Sequence, residues 1–427
     1  MTNPIDGFRK SVSLALLLAV IAAVLLPASA RADLLPSRPI TLWGDRLVIG
    51  GDLTMSFGSP DDRYFNTLDY DHSALNISRI GISVEFRPDD RIAVVTQVVD
   101  EVALRSEPFD FDRNVFRIYA LFVRVRPWRD RSLVIQAGRI PPVFGAFARQ
   151  DYGAGNALIG LPLAYHAPTI LRDDALPASA SDLLRQRGRG WRVTLPVGPG
   201  SEYPAEGLPI VSPQRWDTGV QASWGGGGPV EVSGAVTSGT LSNPLVGDDN
   251  GGKQISGRVA FRPTAGLTFG VSGARGAFIG DDALNAVPSA DRHGAYTQRA
   301  FGADAEYSHG YWLLRAETIV SLWRVPAIDA PRLDHPLRAW ATSVEGRVKL
   351  TPRFYLAARL DRMTFSDVEN GDGLDRTWDA ALGRIEVGGG YSLTRNVRAK
   401  LSYQHNWRDT TRFSNADLVA AQLVYWF

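Results

Sequence analysis

The chain contains no cysteine among its 427 residues. That excludes a disulfide framework, a thiolate metal site and a lipid-bearing N-terminal Cys. Beyond its first 32 residues it has no run of about 18 apolar residues, so no transmembrane helix is expected. Lysine is scarce, with Lys253, Lys349 and Lys400 alone after residue 32, and net charge is small at +1. A near-neutral chain argues against nucleic acid as a partner. No linker divides it, although a soluble secreted chain of this length would normally split into domains.

The first 32 residues read as a secretory signal peptide to be removed. Arg9 and Lys10 form a positive start, Val12 to Leu26 is apolar apart from Ser13, and Pro27 ends the run. Ala30-Arg31-Ala32 is a small-x-small cleavage site before Asp33. The apolar run is short for a membrane-spanning helix. Residues 33–45 then form a short periplasmic leader.

What is abundant is Gly (42), Trp (11), Tyr (13) and Arg, with apolar residues at every second position. In Trp340–Leu350 one face is Trp340, Thr342, Val344, Gly346, Val348 and Leu350, and the other is Ala341, Ser343, Glu345, Arg347 and Lys349. Val397–Trp407 and Trp312–Leu322 repeat the pattern. A period of two with one apolar face is a half-buried strand. In a sandwich that face meets a protein core. In a membrane barrel it meets lipid, and the charged face lines a wet lumen.

Segment lengths of about 10–13 residues favour the barrel, being enough for a tilted strand to cross a bilayer. Aromatics at segment ends (Trp128, Trp216, Trp224, Trp312, Tyr391, Trp407) suit an interfacial girdle, and short and long connections alternate. Seventeen strands can be read, among them 132–139 and 190–196. The even count required of single-chain bacterial barrels then points to one more within Leu158–Leu171, giving about 18, with 16 as the alternative. The predicted fold is all-β: a transmembrane antiparallel barrel over residues 46–427.

The last residues place Val419, Ala421, Leu423, Tyr425 and Phe427 on one face. This resembles the C-terminal signal of bacterial outer-membrane barrels. The resemblance implies that the barrel assembly machinery reads Leu423, Tyr425 and Phe427, and that the protein sits in the outer membrane of a Gram-negative bacterium among its lipids.

Residues 139–189 interrupt the alternation. Paired Pro141-Pro142 and Gly145 break the ladder, yet Phe144, Phe147, Leu158, Ile159, Leu161, Leu163 and Tyr165 are too apolar for a free tail. A loop this long is uncommon unless functional or disordered. The expectation is an inward-folded constriction loop, the alternative an external lid on the rim. Gly138-Arg139-x-x-x-x-Phe144-Gly145 on a strand leading into such a loop is similar to the phosphate-selective porins and their wider group. That resemblance implies a passive channel and a homotrimer. Phosphate specificity is not carried over, because those channels rely on dense basic rings and here acids neighbour many arginines.

The expected constriction residues are Arg139, Arg149, Asp151, Arg172, Asp173 and Asp174. The expected channel lining is Arg79, Arg258, Asp304, Glu306, Arg315, Glu317, Glu345, Arg347, Arg359, Asp361, Arg384, Glu386, Arg398 and Lys400. Rings of one sign select counter-ions. Pairs at i and i+2 (Arg315/Glu317, Glu345/Arg347, Arg359/Asp361, Arg384/Glu386) also read as structural ion pairs without net field. The function expected is diffusion of small hydrophilic solutes or ions with at most mild anion preference. Alternatives are a plugged structural or adhesive barrel and, further off, a barrel hydrolase using Asp71-His72, Asp291/His293 or Asp334-His335, none of them a complete triad. Asp248-Asp249-Asn250-Gly251 and Glu369 to Gly373 read as turns and not as Ca²⁺ loops. No catalytic residue, metal or cofactor is expected.

Overall fold

The structure is a computed structural model that describes residues 36–66, 73–104, 115–129, 131–147, 153–213, 216–247, 251–292, 296–369, 375–410 and 415–427. The signal segment, Asp71-His72, His293, Arg149 and Asp151 lie outside these residues, as do most of the two candidate Ca²⁺ runs.

Sixteen antiparallel strands close into one barrel: β1 (Leu47–Gly58), β2 (Ile77–Asp89), β3 (Ile92–Ala103), β4 (Val115–Val125), β5 (Val134–Ile140), β6 (Asp217–Trp224), β7 (Val230–Thr237), β8 (Gln254–Thr264), β9 (Leu267–Ala277), β10 (Thr297–His309), β11 (Trp312–Trp323), β12 (Leu337–Lys349), β13 (Phe354–Phe365), β14 (Leu382–Ser392), β15 (Val397–Arg408) and β16 (Asn415–Trp426). Each pairs with its neighbours in sequence, and β16 returns to β1 with Ala420 opposite Gly58 and Trp426 opposite Asp52. Closure leaves no open edge. Phe427 completes the seam: its N–H donates to the Gly51 carbonyl at 3.0 Å, and its own carbonyl accepts from Gly51 N–H at 3.2 Å. A short strand, Ile40–Leu42, folds back on Leu47–Ile49 through Trp43, Gly44 and Asp45, all left-handed.

The count is the lower of the two expected. Residues 190–196 alternate but form no barrel strand; Val193 makes only an isolated bridge to Ala205. Gly188, Gly190 and Pro196 prevent a continuous ladder there. Leu158–Leu171 is no strand either and holds one 3-10 turn, Leu163–Tyr165. Dropping both segments restores an even number.

Register fixes the two faces. Phe269, Val271, Phe301, Leu314, Trp340, Val344, Leu356 and Leu360 point outward and are exposed, as a lipid-facing band requires. Trp128, Trp224, Trp312 and Tyr391 are exposed near the short turns. Trp216 departs from the girdle expectation: it packs on Tyr119 and Phe122, with centroids 5.6 and 6.3 Å away.

The inner face is not uniformly polar. At the long-loop end of β11–β13 it carries Trp323, Leu337, Met363 and Phe365. These join Phe144, Tyr165, Ile170, Leu171, Leu176 and Leu183 of the long connection, and Trp378, in one dry core. Trp378 meets Phe365 edge-on at 4.7 Å. Below that core, toward the short turns, the inner face becomes ionic.

Candidate functional site

The connection between β5 and β6, residues 141–216, is where the sequence departs from a simple barrel. The Gly-Arg-x-x-x-x-Phe-Gly motif builds its first turn. Gly138 has φ +127°, and a Cβ there would overlap the Leu121 carbonyl oxygen. Only glycine adopts that conformation without strain. Phe144 is fully buried, its ring lying 3.1 Å from where a Gly302 Cβ would sit. Gly145, at φ +62°, donates its N–H to Ser272 Oγ (3.0 Å), and its carbonyl accepts from Arg258 Nε (3.0 Å). Ala146 N–H donates to Glu317 at 2.8 Å, and Tyr165 Oη donates to the other oxygen of Glu317 at 2.6 Å. These contacts seat the segment against the inner face of β8–β11.

Further along, the segment is held against β13–β15. Ile159 and Gly160 N–H donate to Glu386 (3.3 and 3.0 Å). The Gly160 carbonyl accepts from Arg359 (2.9 Å) and the Leu161 carbonyl from Arg384 (2.9 Å). Lys400 Nζ donates to the carbonyls of Gly153 (2.5 Å) and Asn156 (2.7 Å), Arg398 to that of Ala154 (3.2 Å), and Tyr355 Oη to that of Ala157 (2.8 Å). Buried backbone without a helix or ladder needs such partners. The strand charges supply them.

Those charges form an ordered row. Register sets Glu306 opposite Arg315, Arg315 opposite Glu345, Glu345 opposite Arg359 and Arg359 opposite Glu386. Signs alternate across five strands, with contacts of 2.7, 3.6, 3.4 and 2.6 Å. The pairing is therefore mainly cross-strand; of the expected i, i+2 pairs, Arg359–Asp361 makes contact, at 2.9 Å. Arg258 pairs likewise with Asp304 at 2.6 Å. Between the row and the segment remains a void of about 30 Å³, bounded by Phe147, Pro162, Arg315, Glu317 and Glu345. That is room for about one water. Arg347 sits below the row, 5.9 Å from the Tyr355 ring centre, with no hydrogen bond or ion pair among the described residues.

The opposite wall differs. Arg79 pairs with Asp52 (2.9 Å) and Glu101 (3.4 Å), and Arg117 with Glu101. Toward the short turns, Glu85–Arg124 and Glu231–Arg262 (2.8 Å) are part-exposed ion pairs on the inner face of β2, β4, β7 and β8. Gln136 and Gln221 bond to each other between them. Of this wall's charges only Arg79 was expected from sequence. Asp52, Glu85 and Glu101 follow the alternation of their strands, whereas Arg117 and Arg124, seven residues apart on β4, both face inward only because the register shifts beside Tyr119.

Of the expected constriction residues, the four that are described, Arg139, Arg172, Asp173 and Asp174, do not line one constriction. Arg139 pairs with Leu121 and Thr218, and in that row Leu121 is exposed and outward, so Arg139 belongs to the outer face. Arg172 is buried within the connection: it grips both oxygens of Asp174 (2.8 and 2.9 Å) and donates to the carbonyls of Val193, Gly200 and Tyr203. Asp173 accepts from Asn243 at 2.7 Å. Helix α1 (Ala180–Arg185) starts on Ser179, whose Oγ accepts from Asp182 N–H. Asp379, which sequence reasoning missed, clasps this region to the barrel, accepting from Gly188, Ile170 and Ala380 N–H. Burial pushes its carboxyl up to about 6, against the pull of those N–H groups and of Arg408. Asp334 and His335 are exposed on the rim and make no hydrogen bond with each other.

No family model and no curated protein matches the chain. Solved barrels match nearly all of it. Salmonella typhi OmpF in complex with daunomycin aligns at TM-score 0.54 and 13% identity, covering 91% of this chain and 100% of that one. The anion-selective porin from Comamonas acidovorans aligns at 0.53 and 10%, covering 89% and 99%. OmpT of Vibrio cholerae, expressed in the outer membrane, aligns at 0.52 and 14%, covering 91% and 100%. At such identities the likeness establishes a shared fold.

Proposed function

We propose that the chain is an outer-membrane porin, a passive channel for small hydrophilic solutes and ions. The observation that carries this reading is the asymmetry of the inner wall. On β8–β15 the charges hold the connecting segment, whereas on β2–β8 part-exposed ion pairs and amides remain. The path proposed runs along that second wall, narrowed by residues 141–216 acting as an inward constriction. Its charges are paired, so selectivity is weak, with Arg347 supplying a mild anion preference. The reading includes cleavage after Ala32, recognition of the Phe427 strand by the assembly machinery, and no catalysis.

A homotrimer completes it. The outward faces of β2–β4 offer Ile82, Val94, Ile118, Leu121 and Val123, and the outward charges Asp100 and Arg139 lie in the same sector. Mixed charges there suit a subunit contact better than lipid.

Planar-bilayer recording of the refolded chain in a salt gradient tests the proposal. Stepwise ohmic currents with a small anion-directed reversal potential, reduced in Arg347→Ala, are expected. Membranes that insert folded barrel without current would reject it. They would favour instead a plugged barrel, which the dry core around Trp323, Trp378 and Phe144 supports.

A further inference from the structure

The outer face of β9–β13 carries four charged side chains among the described residues, all arginine and all within four residues of the long-loop end: Arg275, Arg299, Arg338 and Arg362. Register puts Arg275 directly opposite Arg299, Arg299 opposite Leu322, and Leu322 opposite Arg338. At the usual strand spacing, Arg275 and Arg338 lie about 14 Å apart in one lateral row. Arg362 lies one strand on and deeper, opposite Thr342. All four are exposed, and none of their side chains makes a hydrogen bond or ion pair among the described residues.

This arrangement works against the isolated barrel. Like charges directly opposite on one face destabilise a sheet, and arginine is disfavoured beside lipid tails. Just below the row the same face is apolar, with Val271, Phe301, Trp340 and Leu360 more than half exposed. Cations above a greasy surface match a ligand with anionic head and acyl tails. The guanidinium fork binds phosphate bidentately. Four carboxylates, Asp334, Asp367, Glu369 and Asp375, share a hollow of about 470 Å³ with Arg338 but form no ion pair with it. They weaken that end for an anion and make the Arg275–Arg299 pair the centre of the site.

We propose that this outer face binds a phosphorylated glycolipid of the outer leaflet, its phosphates seated on Arg275 and Arg299 and its acyl chains on the apolar strip below. The proposal concerns the lipid-facing surface and stands whether or not the lumen conducts.

The test is binding of purified bisphosphorylated lipid A to the refolded full chain in neutral detergent, followed by native mass spectrometry. Each arginine is worth about fivefold in affinity. The Arg275→Gln/Arg299→Gln variant should therefore bind about 25-fold more weakly. The short-turn control Arg353→Gln/Arg395→Gln should bind as the parent does, with all three folded by heat-dependent gel mobility. Unchanged binding in the first variant would overturn the proposal. So would equal loss in the control, competition by millimolar inorganic phosphate alone, or a change of oligomeric state without a change in lipid binding. The last result would assign the belt to a second copy of the chain.

Discussion

Removing Arg359 should loosen the connection 141–216 from the wall. The guanidinium contacts Asp361 (2.9 Å), Glu386 (2.6 Å), Glu345 (3.4 Å) and the Gly160 carbonyl (2.9 Å). Its side chain and those of Asp361 and Glu386 are 1% exposed or less. Arg359→Ala thus leaves buried carboxylates without their shared cation, and breaking a buried pair from one side costs about 3–5 kcal/mol. Because Glu386 also accepts from Ile159 and Gly160 N–H, the loss falls on docking of the segment. The barrel closes through β16 and β1 independently of it. A cost of this size shifts the docking equilibrium by about a hundred- to a few-thousandfold. Limited trypsin digestion of the refolded barrel in detergent reads it out: cleavage within 141–216 should accelerate while the barrel keeps its heat-dependent gel mobility. Conductance should rise. Glu386→Gln alone should have a smaller effect, and the double variant should fall short of the sum, since both act on one network. An Arg359→Ala barrel cleaved at the parental rate, or a strictly additive double variant, would refute the latch.

Asp379 should make docking pH-dependent. Its folded carboxyl titrates near 6, against about 3.9 unfolded, so the docked state binds the proton more tightly. Protection of 168–190 from hydrogen exchange should fall as pH rises from about 4 to 6 and level off above, the whole swing being about 3 kcal/mol at most. Asp379→Asn should flatten it, and an unchanged profile in that variant would remove Asp379 as its source. Gly138→Ala forces a side chain into φ +127° against Leu121 and should cost about 1–3 kcal/mol, read as a lower urea midpoint; an unchanged midpoint would count against strain there. Deleting Phe427 removes both hydrogen bonds to Gly51 and its stacking on Tyr425 at 5.8 Å; the fraction folding into vesicles should drop, and a wild-type yield would show that the seam closes without it.

The strands were legible in the sequence because a period of two needs no knowledge of partners. Parity alone placed Arg315, Glu345, Arg359 and Glu386 on the charged face of their strands, and the terminal Val419–Phe427 pattern marked the closing strand. Gly138 and Gly145 also announced the break after β5, since glycine at a strand end signals a conformation other residues avoid. What parity could not supply was register between strands. Only the closed barrel decided that Arg315 meets Glu306 and Glu345 across strands instead of Glu317 two residues away. Arg139 shows the limit from the other side: its motif was plain, but its facing depended on pairing with Leu121 and Thr218. Residues 141–216 show it most clearly. Many of their hydrogen-bond partners lie more than 100 residues away, on β8, β9 and β11–β15, and nothing local specifies those. The strand pattern is a property of each segment, whereas the latch and the row of alternating charges exist only once β16 has closed on β1.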